Sequence, residues 1–123
     1  MAFWMVLVAA LIPYFTVAVS KYRPDYDNAA PRAQAERSGG ARQRAWWAHL
    51  NAFEAFPPFA AGVIIAHMTG ASPVLVDGLA VAFVLLRVLY AVLYVTDRPT
   101  ARSLVWTAAF GCVVGLFVVA ALG

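Results

Sequence analysis

One segment of this 123-residue chain carries polar side chains inside an otherwise apolar helical pattern. It runs from Arg44 to Phe59 and reads RAWWAHLNAFEAFPPF. At 100° per residue, Arg44, Asn51 and Glu54 fall on one helical stripe, and His49 points away from it. A guanidinium, an amide and a carboxylate on one stripe can bind a polar ligand. They can equally clamp one helix to another through hydrogen bonds.

A second group of candidate residues lies further along the chain. Arg87, Tyr90 and Tyr94 share a stripe of another apolar helical segment, and Arg102 with Ser103 follows a Pro turn at the start of the last one. Free backbone N–H groups and the helix dipole favour anions at such a helix start. The two groups together predict a site for an anionic, water-soluble ligand at a membrane mouth, where the bilayer can deliver an apolar one.

The segments that carry these residues have the composition of membrane spans. The chain is 63% hydrophobic, far above the average for soluble globular proteins. The first apolar segment lacks the charged start of a cleaved signal, so we expect it to be retained. We predict an all-α integral membrane protein with a single domain over residues 1–123. Four windows are long enough to cross about 30 Å of hydrocarbon: 1–20, 42–68, 74–95 and 101–122.

The basic residues indicate how the chain is oriented. Eight of the nine Lys and Arg lie in or beside the first and third loops, and the second loop has none. The positive-inside rule therefore places the Pro- and Gly-rich loop 21–41 in the cytoplasm, as a solvent loop. The basic residues form no continuous stripe, so nucleic acid is not an expected partner. Trp46, Trp47 and Trp106 are predicted to anchor the membrane boundary.

Ionisable groups at membrane depth need partners. Because an ionised group there costs about 2.5–3.5 kcal/mol on insertion scales, we predict an ion pair between Glu54 and Arg87.

His49 has no second His or carboxylate three or four residues away on its face, so a structural hydrogen bond is favoured over a metal site. Cys112 stands alone in an apolar run, which predicts a packed side chain and excludes an intramolecular disulfide.

Two residue patterns resemble the MAPEG family, the membrane-associated proteins in eicosanoid and glutathione metabolism. The first pattern, on the second helix, is Arg, then Ala-His-x-Asn-x-x-Glu, then Pro-Phe. It is similar to Arg44, Ala48 to Glu54, and Pro58 with Phe59. The second pattern is Arg and Tyr on the third helix, followed by Arg-Ser at the start of the fourth. Its counterparts are Arg87, Tyr94, Arg102 and Ser103.

The resemblance implies a four-helix bundle assembled as a homotrimer, with glutathione bound between subunits near the cytoplasmic side. It implies that Arg102 stabilises the glutathione thiolate and that Ser103 donates a hydrogen bond to the same sulfur. A guanidinium near a thiol favours the nucleophilic anion. The residues expected to bind glutathione are Arg44, Asn51, Glu54, Arg87, Tyr90 and Tyr94.

The function expected from this resemblance is a membrane-bound glutathione transferase or peroxidase-like enzyme. Glutathione is its co-substrate, and a small hydrophobic electrophile or a lipid hydroperoxide comes from the membrane lipids. A catalytically silent scaffold is the alternative, because Gln43, Trp46 and Trp47 stand where relatives often have charged residues. A small ion-coupled transporter built around Glu54 is a third hypothesis. The Ala, Arg, Gly and Val bias indicates a bacterial source, hence an inner membrane.

Overall fold

Five α-helices and no strands make up the computed structural model, which describes residues 1–123. Three of them are long and apolar enough to cross a membrane, which confirms a multi-pass, all-helical membrane protein. The third helix has 29 residues, but its polar side chains leave it outside that group, so the second predicted span stays a prediction. The helices are α1 (Ala2–Lys21), α2 (Pro31–Arg37), α3 (Gly40–Met68), α4 (Pro73–Val95) and α5 (Pro99–Leu122).

Proline and left-handed turn residues set the helix boundaries. Pro73 and Pro99 each occupy the first turn of a helix, where the missing N–H has no helical partner to lose. Between α3 and α4 the backbone passes through Gly70 at φ 76°, and between α4 and α5 through Asp97 at φ 60°. Left-handed residues of this kind end helices and reverse the chain. The short turns therefore make α3, α4 and α5 successive antiparallel neighbours.

The long helices pack around a small core. α1 and α5 each contact both α3 and α4. Phe59 of α3 and Phe83 of α4 stack with their ring centroids 4.0 Å apart, and Leu116 of α5 is fully buried. A Cβ on Gly62 would lie 3.1 Å from the Leu116 Cβ, a tight contact, so glycine favours this approach of α3 and α5. Small residues let membrane helices pack closely in this way.

Loop 21–41 is more ordered than predicted. It contains α2, and residues 22–39, which we call the strap, fold over the adjoining ends of α1 and α3. Glu36 is the attachment point: its carboxylate accepts a hydrogen bond from the Trp46 indole at 2.5 Å, and its carbonyl accepts one from Gln43 at 2.6 Å. The polar composition of the loop did not predict this order, because the hydrogen-bond donors that hold Glu36 belong to α3.

Trp46 and His49 form a packed pair next to the strap. Trp46 is only 8% exposed, so the prediction that it anchors the membrane boundary is wrong. Its ring stacks on that of His49 at 5.0 Å, and His49 Nδ1 donates to the Pro13 carbonyl at 2.7 Å. The predicted structural hydrogen bond of His49 is therefore confirmed. Cys112 packs against the core, as expected.

The two ends of the molecule differ in charge. The carboxyl ends of α1 and α4 lie with the amino ends of α3 and α5, and most of the basic residues gather there; we call this the basic end. At the opposite end the Ala2 N–H donates to the Asp77 carboxylate at 2.7 Å. That bond satisfies one of the free donors at the start of α1.

The substitution Gly62→Val should lower the melting temperature of the protein in detergent. The new side chain would overlap Leu116 and Phe117, an overpacking cost of about 1–3 kcal/mol. Gly111→Val is the matched control, since no atom lies within 4 Å of a Cβ at that position. Circular dichroism during heating gives both values. Equal melting temperatures for the two variants would contradict the close approach of α3 and α5.

Within the strap, Arg23 should hold the pKa of Asp25 low. Two hydrogen bonds of 2.7 Å join the guanidinium to the carboxylate, and they lower the pKa of Asp25 from 3.8 to about 2. A depressed folded-state pKa means that the ion pair supports the strap above about pH 4 and is lost as the pH falls through 2. Carbon-detected NMR titration should show the Asp25 pKa returning toward 3.8 in Arg23→Gln. An unchanged pKa would show that the pair does not form.

Candidate functional site

Arg87 lies at the centre of the site and is almost completely buried, with 3% of its surface exposed. Its Nη2 donates to the Asn51 Oδ1 at 2.7 Å, and the Asn51 Nδ2 faces a Glu54 carboxylate oxygen at 3.4 Å. No salt bridge joins Glu54 to Arg87, so the predicted direct ion pair is wrong. An amide has both an acceptor and a donor, and Asn51 can therefore stand between the cation and the anion.

Aromatic rings extend this arrangement toward the basic end. The Arg87 guanidinium lies 4.2 Å from the Tyr90 ring centroid, and Tyr90 meets Tyr94 edge to face at 5.7 Å. The Arg102 guanidinium lies 4.3 Å from the Tyr94 centroid. Such cation–π contacts hold a guanidinium in place without neutralising it. We call the connected set the polar chain: Glu54, Asn51, Arg87, Tyr90, Tyr94 and Arg102.

Helical geometry explains how the polar chain assembles. Arg87, Tyr90 and Tyr94 are spaced by three and four residues, so they line one face of α4. The tight turn at Asp97 then reverses the backbone, which places Arg102, near the start of α5, back over Tyr94. The short turn therefore brings together the two parts of the second predicted group, which lie on α4 and α5, at the basic end.

Two predicted site residues lie outside the polar chain. Arg44 donates from Nε and Nη2 to the Val95 carbonyl, both at 3.1 Å. It thereby satisfies an end carbonyl of α4 and places positive charge at the negative end of that helix. Ser103 is exposed on α5, next to Arg102 in sequence.

A cavity of about 160 Å³ adjoins the polar chain between α3, α4 and α5. Asn51, Glu54 and Arg87 line one part of it, and apolar side chains line the rest, including Trp106 and Phe110. We call this cavity the slot. Sequence reasoning missed both aromatic residues as site candidates. The available signal was their spacing of four and eight residues from Arg102, which keeps all three near one face of α5.

A broader and more open concavity lies on the other side of Asn51 and Glu54. Its volume is about 480 Å³, and Trp47, Tyr90 and Tyr94 contribute to its walls. The Glu54 side chain is exposed in the single chain, despite standing well inside α3. Asn51 and Glu54 therefore border both spaces, and their polar atoms are available to a ligand in either one.

The fold and the site together define a class: a multi-pass helical membrane protein with connected charged and aromatic side chains between its helices, centred on a buried arginine. Residues 1–122 match the MAPEG family, and the chain belongs to that family. MAPEG proteins are membrane proteins of glutathione and eicosanoid metabolism. No curated protein and no solved structure matches the chain.

Replacing Asn51 should cost more stability than replacing Glu54. In Asn51→Leu the buried guanidinium of Arg87 loses its hydrogen-bond acceptor, a penalty of about 1–3 kcal/mol. Glu54→Gln keeps the size of the side chain and an acceptor oxygen, and Glu54 makes no direct bond to Arg87, so its effect should be small. Thermal unfolding in detergent compares the two. A greater loss of stability for Glu54→Gln than for Asn51→Leu would instead indicate a direct ion pair between Glu54 and Arg87.

Proposed function

We propose that this protein is a membrane-bound glutathione transferase or peroxidase that activates the glutathione thiol beside Arg102. The observation that supports this most strongly is the polar chain, which leads from an exposed carboxylate at Glu54 to a guanidinium at Arg102. Family membership makes glutathione the expected co-substrate. The polar chain offers it groups of both charges along one connected surface.

Each part of glutathione has a chemical counterpart in this site. The tripeptide has two carboxylates, one ammonium group and one thiol. Glu54 is exposed and free of a direct ion pair, so it suits the ammonium group. The arginines suit the carboxylates, because a guanidinium presents paired N–H donors to a carboxylate. Tyr90 and Tyr94 orient the guanidinium groups and provide hydroxyls that can donate to the ligand.

Arg102 would favour the thiolate over the thiol. A free thiol has a pKa near 8.5, and a cation beside the sulfur lowers that value and so increases the nucleophilic fraction. Tyr94 holds the Arg102 guanidinium through a ring contact that leaves its charge unneutralised. The exposed Ser103 hydroxyl is free to donate a hydrogen bond to the same sulfur. The thiolate then attacks an electrophilic carbon or a peroxide oxygen of a hydrophobic co-substrate supplied by the membrane.

We further propose that α3 is the fourth span of a single-domain four-helix bundle, and that the protein is a homotrimer. α3 is the least apolar of the long helices, and its Glu54 is exposed in one chain. A carboxylate facing lipid is costly, and a neighbouring subunit with bound glutathione would remove that exposure. The excess of Lys and Arg at the basic end supports a cytoplasmic position for the strap, at the inner membrane if the source is bacterial.

Two of the substitutions that favour a silent scaffold have a structural role instead. Gln43 and Trp46 both donate to Glu36 in the strap, away from the polar chain. Trp47 alone of the three borders the open concavity. The absence of charged side chains at positions 43 and 46 therefore removes no charge from the polar chain. This supports a ligand-binding protein over a silent scaffold.

Arg102→Gln should raise the pKa of bound glutathione toward its free value and reduce conjugation of a generic electrophile by about 100-fold, as when an electrostatic stabiliser is lost. Arg98→Gln is the matched control, because it removes the same charge one turn earlier, from an exposed position. The ultraviolet absorbance of the thiolate, titrated against pH, reports the pKa, and calorimetry reports binding.

Equal conjugation rates for Arg102→Gln and the wild type would overturn the proposed role of Arg102. If the wild-type protein bound glutathione but produced neither thiolate absorbance nor conjugate, the protein would be a binding scaffold. No heat of binding for glutathione would overturn the proposed function as a whole.

A further inference from the structure

A long, open groove runs along the surface between α1 and α4, and none of its lining residues belongs to the polar chain. Its volume is about 650 Å³, and its walls are apolar apart from two threonines. The hydroxyls of Thr16 and Thr96 bond to carbonyls of their own helices, Ile12 at 2.8 Å and Val92 at 2.7 Å. The groove therefore offers no free polar group and suits a hydrocarbon. We call it the outer groove.

The outer groove has the depth of one membrane leaflet. Along α1 it extends from Val8 to Val19, which is about 16 Å at 1.5 Å per residue. Half of a hydrocarbon core of about 30 Å is about 15 Å. Because α1 and α4 both end at the basic end, the groove runs from near the middle of these helices to that surface. An acyl chain that enters from the basic side would lie along its full length.

Two arginines from the first turns of α3 mark the mouth of the outer groove. Arg42 donates from Nε to the Tyr22 carbonyl at 3.3 Å, and Tyr22 directly follows α1. Arg44 donates to the carbonyl of Val95, which itself lines the groove. An arginine thus lies at the end of each of the two helices that form the groove.

Both guanidinium groups keep charge and donors for a ligand. Neither forms a salt bridge, and the Arg44 Nη1 and both terminal nitrogens of Arg42 make no hydrogen bond within the chain. Asp25 is close enough to interact with the charge of Arg42, but two hydrogen bonds already hold it to Arg23. A guanidinium presents paired N–H donors that match a phosphate. The mouth of the groove therefore suits a phosphate, above a space that suits a hydrocarbon chain.

The walls of the outer groove are less suited to a second helix. Membrane helices pack closely where their side chains are small. Eight of the eleven lining residues are Val, Leu, Ile or Phe, and Ala91 is the only alanine. The open concavity, where Glu54 is exposed, shares no residue with the groove. A neighbouring subunit therefore has a separate surface to cover.

We propose that the outer groove binds one anionic phospholipid, with an acyl chain between α1 and α4 and the headgroup phosphate on Arg42 and Arg44. This inference concerns a lipid that stays bound to the protein. It goes beyond the proposed glutathione activity and does not depend on it. Each basic residue beside a membrane helix favours an anionic lipid by about fivefold. The bound lipid would bridge the ends of α1 and α4.

The headgroup contact is tested by native mass spectrometry of the purified protein with phosphatidylglycerol or phosphatidylcholine. The wild type should bind the anionic lipid about tenfold more tightly than the zwitterionic one. Arg42→Gln should lower that preference by about fivefold. Arg32→Gln is the matched control, because it removes the same charge from an exposed position in α2 and should leave the preference unchanged. Equal affinities of the wild type for the two lipids, or equal effects of the two variants, would overturn the proposal.

The position of the acyl chain is tested by filling the outer groove. Ala91→Phe should weaken phosphatidylglycerol binding by about tenfold or more, since the added ring occupies the space of the chain. Ala108→Phe is the control, because Ala108 is exposed on α5 and lies outside the groove. Equal lipid affinities of these two variants would overturn the proposed position.

A photo-crosslink identifies the occupant directly and also serves if Ala91→Phe does not fold. The photoreactive residue p-benzoylphenylalanine replaces Val92, which lines the groove and is 53% exposed. After irradiation in nanodiscs of equal phosphatidylglycerol and phosphatidylcholine, the main product should have the mass of one chain plus one phosphatidylglycerol. A product of two joined chains would show that a second subunit covers the groove, and equal adducts with the two lipids would show no selection of charge. Either result would overturn the proposal.

Discussion

The structure depends on one buried cation. Arg87 stands in the middle of an apolar helix, and a guanidinium there is tolerated only when its N–H donors and its charge are matched by neighbouring groups. Asn51 supplies the acceptor at 2.7 Å, and Tyr90 supplies a ring face at 4.2 Å. These contacts fix the position of α3 relative to α4. The nearby stack of Phe59 on Phe83 packs the same two helices together below them.

Since Asn51 takes the place of a direct partner for Arg87, the Glu54 carboxylate is left without an ion pair. The carboxylate remains exposed between the slot and the open concavity. At the other end of the polar chain, Tyr94 contacts Arg102 without neutralising it. An anion and a cation are thus held apart by fixed polar and aromatic groups. That separation allows one zwitterionic ligand to engage both ends, with an apolar space beside it.

The strap shows how a polar segment can be ordered without a core of its own. Its glutamate at 36 receives two hydrogen bonds from α3, and a bidentate pair between Arg23 and Asp25 closes its first turn. Arg44 acts similarly at the end of α4, where it binds the Val95 carbonyl. Several charged and polar side chains at the basic end therefore cap and connect helices.

The sequence by itself determined the helical class and three apolar spans, because hydrocarbon thickness fixes how long a span must be. It also singled out the six residues that the structure joins in the polar chain, because helical periodicity fixes which residues share a face. The tertiary structure decided which polar groups meet. Asn51 and Glu54 are equally plausible partners for Arg87 on one stripe, and only the register of α3 against α4 selects the amide. Trp46 and Trp106 look alike as boundary residues, yet one is buried under the strap and the other lines the slot. That difference follows from the neighbours each helix face meets, which local spacing does not specify.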